Sequence, residues 1–525
     1  MLLLLGLGFV LRLGNAAYRF LNPDEALHYL LSVQPSLAAT YKATLTTAHP
    51  PLLILILHAW GRIAHSELFL RVPSVVAGTL FCAVMFSWMK RVCDQTTAFL
   101  ALAMLLFSPA LIQISSEVRQ YGLLLLFCSL GLYWLDSSVM ENSISRLLLS
   151  TVALYLALLT HYSSFIVAVI LGGYGLMRLL TSRARGTMIV VWALGQLGAL
   201  GVIAFSFLHH IALIRARGVP QAIAGTYLRR SVLQPGQGPL SFVARANLRL
   251  FHYFFSQGAI GALALALFLY GVYWLVTARG NSYATRSPSR RQIGLLLAFP
   301  LLVNCALALL RIYPYGGTRH DCYLTIFAMP GIAVALGRAT ASGGWLKPAL
   351  IATVLIVCNL FPSPQGEYIR FRDQSRRLMS QAIQKFRSLP SESTIWTDDQ
   401  GALLLSYYLC QAKVAQIEQP KFELFFRSRC GFDWVISLDP NLWMFKAETF
   451  PSMLDAVART YNLSPGAELW FFQAGWFIDQ EYALRDELRI LGCSPSEEFG
   501  RNMILCRLPV GPRRRTATVV SPARG

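Results

Sequence analysis

The sequence predicts an α-helical polytopic membrane protein with a small C-terminal α/β domain. Of its 525 residues, 55% are hydrophobic and only 14% are charged, whereas soluble domains carry about 25% charged residues. Several apolar runs approach the roughly 20 residues that cross a bilayer as a helix. After residue 361 these runs give way to alternating helix-like and strand-like segments. The composition excludes a compact soluble enzyme, a coiled coil, a collagen and a disordered chain.

Eleven apolar runs predict about 11 transmembrane helices. The first, at 1–14, lacks a basic n-region and a cleavage site, so we interpret it as a helix and not as a removable signal. A shorter run at 50–60, interrupted by His58, favours an amphipathic helix in the membrane interface. The other ten runs lie at 68–89, 97–114, 121–136, 146–160, 163–180, 188–208, 255–277, 293–311, 322–337 and 345–361.

The distribution of charge predicts the orientation. With the N-terminus inside, most loops rich in Lys and Arg lie on the cytoplasmic side. All nine histidines precede residue 321 and then lie at the outer ends of helices. The outer loop 209–254 departs from the rule that basic loops lie inside, because it carries six arginines. Either this orientation is wrong or those arginines serve an anionic substrate. They lie at positions 215, 217, 229, 230, 245 and 249.

These patterns predict three regions. Residues 1–361 form the membrane domain, with outer loops at 19–67 and 209–254. Residues 362–508 form a soluble α/β domain on the outer side, with helix-like segments at 373–388, 401–409 and 481–491 and strand-like segments at 394–397, 434–438, 468–473 and 503–508. Residues 509–525 form a disordered tail. Cys493 and Cys506 could form a disulfide if this domain faces an oxidising compartment.

The positive charge does not indicate a nucleic-acid partner. Of the net charge of +20, most falls in residues 1–361, which hold 26 of the 46 basic but only 8 of the 26 acidic residues. A basic surface on a membrane domain favours anionic lipid headgroups or a phosphate-bearing substrate. We therefore expect the lipid bilayer as a partner and no nucleic acid.

Five short polar motifs mark the predicted outer face. Each also has a structural interpretation as a helix start, a connector or an interfacial anchor. Adjacent carboxylates such as Asp24 and Glu25 can supply a general base, and Arg119 can bind a phosphate. The motifs are NPDE (22–25), HPPL (49–52), SSEVRQY (115–121), THYSS (160–164) and RIYPYGGTRHDCY (311–323).

Several motifs of soluble enzymes are absent from the sequence. It contains no GxGxxG, GxxxxGK[ST], GxSxG, HExxH or DxD. The usual nucleotide sites and the usual metal motif for nucleotide sugars therefore have no support. This favours a donor that is dissolved in the membrane.

Taken in order, the outer motifs resemble the polyprenyl-phosphate-sugar-dependent glycosyltransferases of the GT-C class. In particular, the chain looks like bacterial protein O-mannosyltransferases (glycosyltransferase family 39) and the related aminoarabinose and galacturonosyl transferases. The resemblance covers roughly residues 1–340 and is most specific from His49-Pro50-Pro51 to the segment RVPS at 71–74. The other matching segments are 24–25, 67–68, 116–121 and 160–162.

The resemblance implies a multi-pass enzyme of the cell inner (plasma) membrane that is a hexosyl- or pentosyltransferase. It would transfer a sugar, with inversion, from a polyprenyl-phosphate donor to a lipid, glycan or protein acceptor on the extracytoplasmic face. The resemblance also implies catalytic roles for Asp24, as general base, and Glu25. The implied substrate-binding residues are His49, Glu117, Arg119, Tyr121, His161, Arg319 and Tyr323. Of these, we expect Arg119 and Arg319 to bind the leaving phosphate.

Two other interpretations compete with the enzyme. A transporter or flippase for a lipid-linked sugar would carry charged residues near the midplane or repeated halves, whereas we find no repeat and expect apolar span interiors. A non-catalytic assembly partner would need only the soluble domain. No cofactor is required by the sequence, although Asp24, Glu25 and His49 could hold a divalent metal; their spacing does not demand one.

Overall fold

The structure, a computed structural model, falls into two compact units. One unit comprises Met1–Leu21 and Leu31–Arg372, and the other comprises Asn22–Leu30 and Asp373–Gly525. The described residues are 1–182, 184–216, 228–277, 286–344, 346–360, 375–390, 392–410, 425–430, 433–438, 445–475, 481–493 and 503–510. The predicted tail beyond residue 510 and the predicted domain boundary at 361 lie outside them.

The first unit is helical, and all eleven predicted apolar runs form helices in it. The run at 97–114 forms two helices, because Pro109 starts a new helix after Ser108. The helices are Leu2–Tyr18, Leu37–Thr44, Leu52–Trp60, Glu67–Val92, Gln95–Phe107, Pro109–Ile114, Tyr121–Glu141, Ile144–Leu158, Ser164–Thr181, Gly186–Ser206, Ala212–Ala216, Pro239–Phe255, Gly258–Thr277, Arg290–Leu309, Thr325–Gly343 and Leu346–Leu360. The π-helical turn Phe207–Ile211 joins two of them.

Seven helices in the described part of the chain are long and apolar enough to cross a membrane. Three apolar helices are shorter, namely Leu2–Tyr18, Gln95–Phe107 and Ile144–Leu158. The helix Leu52–Trp60, for which we predict an interfacial position, has nine residues. These helices make the chain a multi-pass integral membrane protein.

Polar side chains fix where several membrane helices begin. The side chain of Asp94 accepts a hydrogen bond from the backbone N–H of Thr97 at 2.8 Å. Ser289 and Gln292 form a reciprocal capping box at the start of Arg290–Leu309. Such caps satisfy backbone donors that have no partner inside the helix. They mark the starts of the helices Gln95–Phe107 and Arg290–Leu309.

Arg12 departs from the expected apolar span interiors. It lies inside the helix Leu2–Tyr18 and is fully buried. Its guanidinium donates to the carbonyls of Gly8, Leu105 and Leu106 at 3.1–3.3 Å. A buried charge is tolerated when most of its donors are satisfied in this way. In the described structure, only Nε of this guanidinium has no hydrogen-bond partner. Arg12 therefore ties the first helix to the end of Gln95–Phe107.

A second buried charge cluster joins three helices. Asp136 accepts hydrogen bonds from the Trp88 indole at 2.8 Å, from the Tyr174 hydroxyl at 2.9 Å and from Arg178 Nε at 2.9 Å. The side chains of Asp136 and Arg178 are 2% and 1% exposed. Since the carboxylate accepts from three donors, this ion pair is part of the helix packing.

The second unit contains a five-stranded mixed sheet. Its strands are β1 (Thr394–Thr397), β2 (Phe425–Cys430), β3 (Asp433–Leu438), β4 (Glu468–Ala474) and β5 (Met503–Pro509), in the spatial order β2-β3-β1-β4-β5. The central strand β1 is parallel to β3 and β4, whereas β2 and β5 pair antiparallel at the edges. The helices of this unit are Pro23–Ser32, whose last two residues belong to the first unit, Arg376–Arg387, Asp399–Tyr408, Phe450–Thr460 and Glu481–Ile490.

The predicted elements of the α/β domain are all present, and the structure adds two. Neither β2 nor the helix Phe450–Thr460 was predicted from the sequence. That helix buries Phe450, Leu454 and Val457, a spacing typical of an amphipathic helix. The side chains of Phe450 and Phe471 pack on Trp396 of the central strand.

Two disulfides lie in the second unit. The bond Cys493–Cys506 confirms the pair that the sequence suggested. The other bond joins Cys410 and Cys430, which the sequence analysis did not pair. Cys410 follows the helix Asp399–Tyr408, and Cys430 ends β2. The two bonds therefore tie a helix end to an edge strand and the last helix to β5.

Candidate active site

The acidic motif NPDE begins a helix of the second unit. Glu25 accepts a hydrogen bond from the backbone N–H of Asn22 at 2.9 Å, and the Asn22 side chain accepts from the Glu25 N–H at 3.0 Å. This is a reciprocal capping box with Pro23 in the first helical position. Glu25 is only 1% exposed. The helix-start interpretation of this motif is thus correct for Glu25, whose catalytic role stays a prediction.

Asp24 occupies a different face of the same helix. Successive helical residues are about 100° apart, so Asp24 and Leu27 share one side. These two residues are half-buried, whereas Ala26, His28 and Tyr29 are buried. Asp24 is therefore the carboxylate of the pair that solvent or a ligand can reach.

In the first unit, three histidines from three separate motifs lie together. The ring of His161 lies 6.0 Å from that of His49, 5.9 Å from that of His320 and 5.4 Å from that of Tyr121, measured between centroids. We call these four residues the histidine cluster. The fold brings together three of the predicted substrate-binding residues, His49, Tyr121 and His161, and adds His320.

Within the histidine cluster, His161 is held as a neutral imidazole. The backbone N–H of Ser163 donates to Nδ1 at 3.1 Å, and the Ser163 hydroxyl lies 2.8 Å from the same nitrogen. Burial, with the positive charges of Arg119 and Arg319, lowers the pKa of His161 to about 3. Because Nδ1 accepts, the assigned tautomer carries its proton on Nε2. His161 therefore offers a neutral N–H donor.

Both arginines predicted to bind phosphate act on this histidine. Arg119 is buried, and its guanidinium lies 5.6 Å from the centroid of the Tyr121 ring. Its backbone carbonyl accepts from the Ser74 hydroxyl at 3.1 Å, which links the motifs SSEVRQY and RVPS. Arg319 is half-buried. The fold thus concentrates two positive charges beside the histidine cluster.

Glu117, two residues before Arg119, makes polar contacts of its own. It is buried, its carboxylate lies 3.9 Å from the Arg19 guanidinium, and it accepts from the Gln113 amide at 3.3 Å. Arg19 in turn follows the first helix, and its carbonyl accepts from Arg71 at 2.7 Å. Arg71 donates further to the carbonyls of residues 16 and 20, so the RVPS motif caps the end of the first helix. The sequence analysis missed Arg19.

His49 is anchored from two sides. The Gln120 side chain lies 3.0 Å from its Nδ1, and the backbone N–H of Leu52 donates to the carbonyl of Leu159 at 3.0 Å. The second bond joins the HPPL motif directly to the connector that carries His161. His49 is half-buried, so the histidine cluster has an accessible side.

Tyr162 and His210 form a further link between the motif THYSS and the segment before His49. This pair was not predicted from the sequence. The hydroxyl of Tyr162 hydrogen-bonds Nδ1 of His210, whose Nε2 lies 2.8 Å from the carbonyl of Thr47. Since a carbonyl only accepts, Nε2 donates and Tyr162 donates to Nδ1. His210 lies in the π-helical turn 207–211, and such turns are frequent at functional sites.

The motif RIYPYGGTRHDCY is organised around Asp321. One of its carboxylate oxygens accepts from the backbone N–H groups of Gly316, Gly317 and Thr318 at 3.1–3.2 Å. Both glycines adopt positive φ, and a Cβ on Gly317 would lie 2.3 Å from the Arg249 carbonyl. The glycine pair is therefore required by packing, and the turn presents Arg319 and His320.

Tyr323 differs from the other predicted substrate-binding residues. It is fully buried, and its hydroxyl donates to the Asn304 side chain at 2.7 Å. This contact ties the turn to the helix Arg290–Leu309. A substrate-binding role for Tyr323 stays a prediction.

Among the described residues, no group of three or more His, Cys, Asp or Glu side chains could hold a metal ion. The donors in the histidine cluster are imidazole rings beside two arginines. Such a set of groups suits an anion better than a cation. We derive no metal-dependent step from it.

A family model matches part of the chain. Residues 48–209, which carry the motifs HPPL, RVPS, SSEVRQY and THYSS, match the family model of dolichyl-phosphate-mannose-protein mannosyltransferases. The matched segment is about a third of the chain, and over this segment the chain is similar to that family. The resemblance drawn from the outer motifs is thereby confirmed over these residues.

A solved structure shares the fold of this chain. ArnT from Cupriavidus metallidurans in the apo state matches with a TM-score of 0.50 at 13% identity, over 96% of this chain and 97% of that chain. A second match is the archaeal oligosaccharyltransferase AglB from Archaeoglobus fulgidus, in complex with an inhibitory peptide and a dolichol-phosphate. Its TM-score is 0.46 at 12% identity, and the match covers 97% of this chain and 76% of that chain. No curated protein matches significantly. The ArnT match confirms the predicted fold class of a helical membrane protein with a C-terminal mixed sheet.

Proposed function

We propose that this protein is a membrane glycosyltransferase that takes its sugar from a polyprenyl-phosphate donor and transfers it with inversion on the extracytoplasmic side of the cell inner membrane. Asp24 is the general base for the acceptor hydroxyl. Arg119, Arg319 and His161 bind the phosphate of the donor. The acceptor is a lipid, a glycan or a protein with an accessible hydroxyl.

The observation that carries this proposal is the charge around His161. Arg119 and Arg319 lie close enough to lower its pKa together with burial. A neutral N–H donor beside two guanidinium groups matches the oxygens of a phosphate. Low-dielectric surroundings strengthen such interactions with the charge that develops in the transition state. The cluster is therefore suited to stabilise a lipid phosphate as it leaves.

The reaction then balances without a further reagent. The acceptor oxygen attacks C1 of the sugar as its proton moves to Asp24, and a new C1–O bond forms. The bond between C1 and the phosphate oxygen breaks, and its electron pair stays on the polyprenyl phosphate. Attack from the face opposite the phosphate inverts the configuration at C1. Glu25 holds the helix start that carries Asp24 through its cap with Asn22.

The extracytoplasmic location is supported by the chemistry of the second unit. Two disulfides, Cys410–Cys430 and Cys493–Cys506, lie in the unit that includes Asp24. Structural disulfides persist in oxidising compartments such as the periplasm or the cell exterior. The disulfides therefore support the proposal that the helix Pro23–Ser32 and the sheet lie on that side of the membrane.

A transfer assay with purified protein tests the proposal. The protein in nanodiscs is incubated with polyprenyl-phosphate sugars and with a membrane extract that supplies acceptors, and mass spectrometry follows the released polyprenyl phosphate. We expect release by the wild type and a loss of about 100-fold or more in Asp24→Asn, since general bases contribute about 10²–10⁴-fold. Asp486→Asn is the matched control, because the side chain of Asp486 is 71% exposed.

Two outcomes would contradict the proposal. Near-wild-type release by folded Asp24→Asn would remove Asp24 as the base. Failure of the wild type to release lipid phosphate from any donor, combined with movement of intact donor across proteoliposome membranes, would favour the alternative of a transporter or flippase. The two outcomes are separable because transport leaves the bond between sugar and phosphate intact.

A further inference from the structure

The helix that carries Asp24 belongs to the C-terminal unit and not to the membrane unit. Residues 22–30 group with residues 373–525, although more than 340 residues separate the two segments. The helix Pro23–Ser32 has ten residues, and a helix this short is marginal on its own in water. Its position must therefore come from tertiary contacts.

One contact is at the start of this helix. Gly475 follows β4 and adopts φ +130°, and a Cβ placed on it would lie 2.6 Å from Cγ of Pro23. The same Cβ would lie 2.6 Å from Oε1 of Gln400. A Cβ does not approach other heavy atoms so closely, and positive φ is itself unfavourable for residues other than glycine. Only glycine lets β4 end directly against Pro23.

A second contact lies near the end of the helix. The rings of Tyr29 and Tyr407 meet edge to face, with centroids 5.1 Å apart and planes at 90°. Tyr29 is six residues after Pro23, and Tyr407 is seven residues after Gln400. At about 1.5 Å per residue both intervals span about 9–10 Å. The helices Pro23–Ser32 and Asp399–Tyr408 therefore lie side by side and run in the same direction.

These contacts fall on the side of the helix opposite Asp24. Pro23, Ala26 and Tyr29 follow one another at intervals of three residues and form one face, and Ala26 is fully buried. Asp24 is two residues from Ala26, or about 160° around the helix axis. The C-terminal unit thus holds the back of the helix and leaves the half-buried carboxylate on the other side.

We propose that the C-terminal α/β unit positions the general base, with Gly475 and Tyr407 as positioning residues for Asp24. The inference rests on the proposed role of Asp24. It assigns to the soluble domain a role in catalysis through the helix Pro23–Ser32, in place of a separate binding function. A displaced helix would move the carboxylate away from the acceptor hydroxyl without touching the donor phosphate.

The test compares Gly475→Ala with Gly466→Ala in the full-length protein. Gly466 also has positive φ (+87°), but nothing lies within 4 Å of a Cβ placed there. Both variants therefore introduce backbone strain in the C-terminal unit, and only Gly475→Ala adds a collision with Pro23. We expect Gly475→Ala to lower kcat by about 10- to 100-fold, because misplacing a catalytic group by about 1 Å can cost 100-fold. The KM for the lipid donor should stay within about twofold, and Gly466→Ala should keep the wild-type kcat.

A second pair of variants covers the case in which Gly475→Ala does not fold. Tyr407→Phe keeps the edge-to-face ring contact with Tyr29, whereas Tyr407→Ala removes it. We expect Tyr407→Phe to keep the wild-type kcat. Tyr407→Ala should lower kcat at an unchanged KM for the donor. A merely structural role would instead reduce the active fraction, which titration with a tight donor analogue measures.

The outcomes separate this inference from the proposed function. Wild-type kcat in folded Gly475→Ala and Tyr407→Ala, with an inactive Asp24→Asn, would overturn the positioning role alone. Equal losses in Gly475→Ala and Gly466→Ala would also overturn it. Full activity of Asp24→Asn would overturn the proposed base and the positioning role together.

Discussion

Replacing Asp136 by Asn should destabilise the membrane unit far more than the loss of a surface charge does. Asp136 accepts from Trp88, Tyr174 and Arg178 at 2.8–2.9 Å, and the two charged side chains are 1–2% exposed. Asn keeps one acceptor but leaves the guanidinium of Arg178 without its counter-charge. Removing one partner of a buried ion pair costs about 3–5 kcal/mol, which corresponds to a factor of about 150 to about 5,000 in the unfolding equilibrium constant.

The free energy of unfolding can be measured by titrating SDS into mixed micelles and following tryptophan fluorescence. The control is Glu141→Gln on the same helix, where the Glu141 side chain is 37% exposed and pairs with Arg91 and Arg146. An exposed pair contributes about 0–1 kcal/mol, so this variant should unfold close to the wild type.

The double variant Asp136→Asn/Arg178→Met identifies the cause of the loss. It removes the uncompensated charge, and the Asn can still accept from Trp88 or Tyr174. We expect it to be about 2 kcal/mol more stable than Asp136→Asn alone. A double variant no more stable than the single one would refute the reasoning, as would a loss of less than about 1 kcal/mol in Asp136→Asn.

Three further predictions concern the site and the C-terminal unit. Arg119→Gln should lower kcat/KM by about 10- to 100-fold through the loss of a charge-assisted contact with phosphate, measured as release of lipid phosphate, and an equal loss in the exposed control Arg387→Gln would contradict it. Because the pKa of His161 is lowered to about 3, His161→Asn should change the height of the rate profile and leave its shape unchanged between about pH 5 and about pH 8; a lost inflection near pH 6.5 would show that His161 titrates there. Burial raises the pKa of Asp398 to about 7, so the folded state binds this proton more tightly than the unfolded chain does. The resulting contribution to stability is lost as the pH rises from about 4 through about 7. Asp398→Asn, which keeps a helix cap, should therefore flatten the pH dependence of thermal unfolding, and an unchanged slope would count against the shift.

Local patterns predicted most helices because they depend on neighbouring residues. Apolar runs of the right length became helices, and strand-like runs such as Thr394–Thr397 became strands. The helix Phe450–Thr460 carried a readable amphipathic spacing that was overlooked. The strand β2 could not be found in this way, because its segment FFRSRC has no clean alternation and is defined by its pairing with β3.

The candidate site shows the same difference between local sequence patterns and tertiary contacts. The motifs that carry His49, Arg119, His161 and Arg319 were identified from residue types at helix ends. Their mutual distances were not, because ring contacts such as that between His161 and His320 join segments about 160 residues apart. The spacing of Glu25 from Asn22 is compatible with a cap, but only the coordinates show that the cap forms.

By itself, the sequence determined that this protein is a multi-pass membrane protein with a C-terminal α/β domain, and it predicted which short motifs carry the chemistry. Hydropathy and charge act locally, so they can be read along the chain. Only the tertiary structure decided that three histidines meet beside two arginines, that Arg12 and Asp136 are buried with partners, and that residues 22–30 belong to the C-terminal unit. These features depend on packing between segments that are distant in the sequence. The energies of such contacts depend on close approach and burial, and not on the order of residues along the chain.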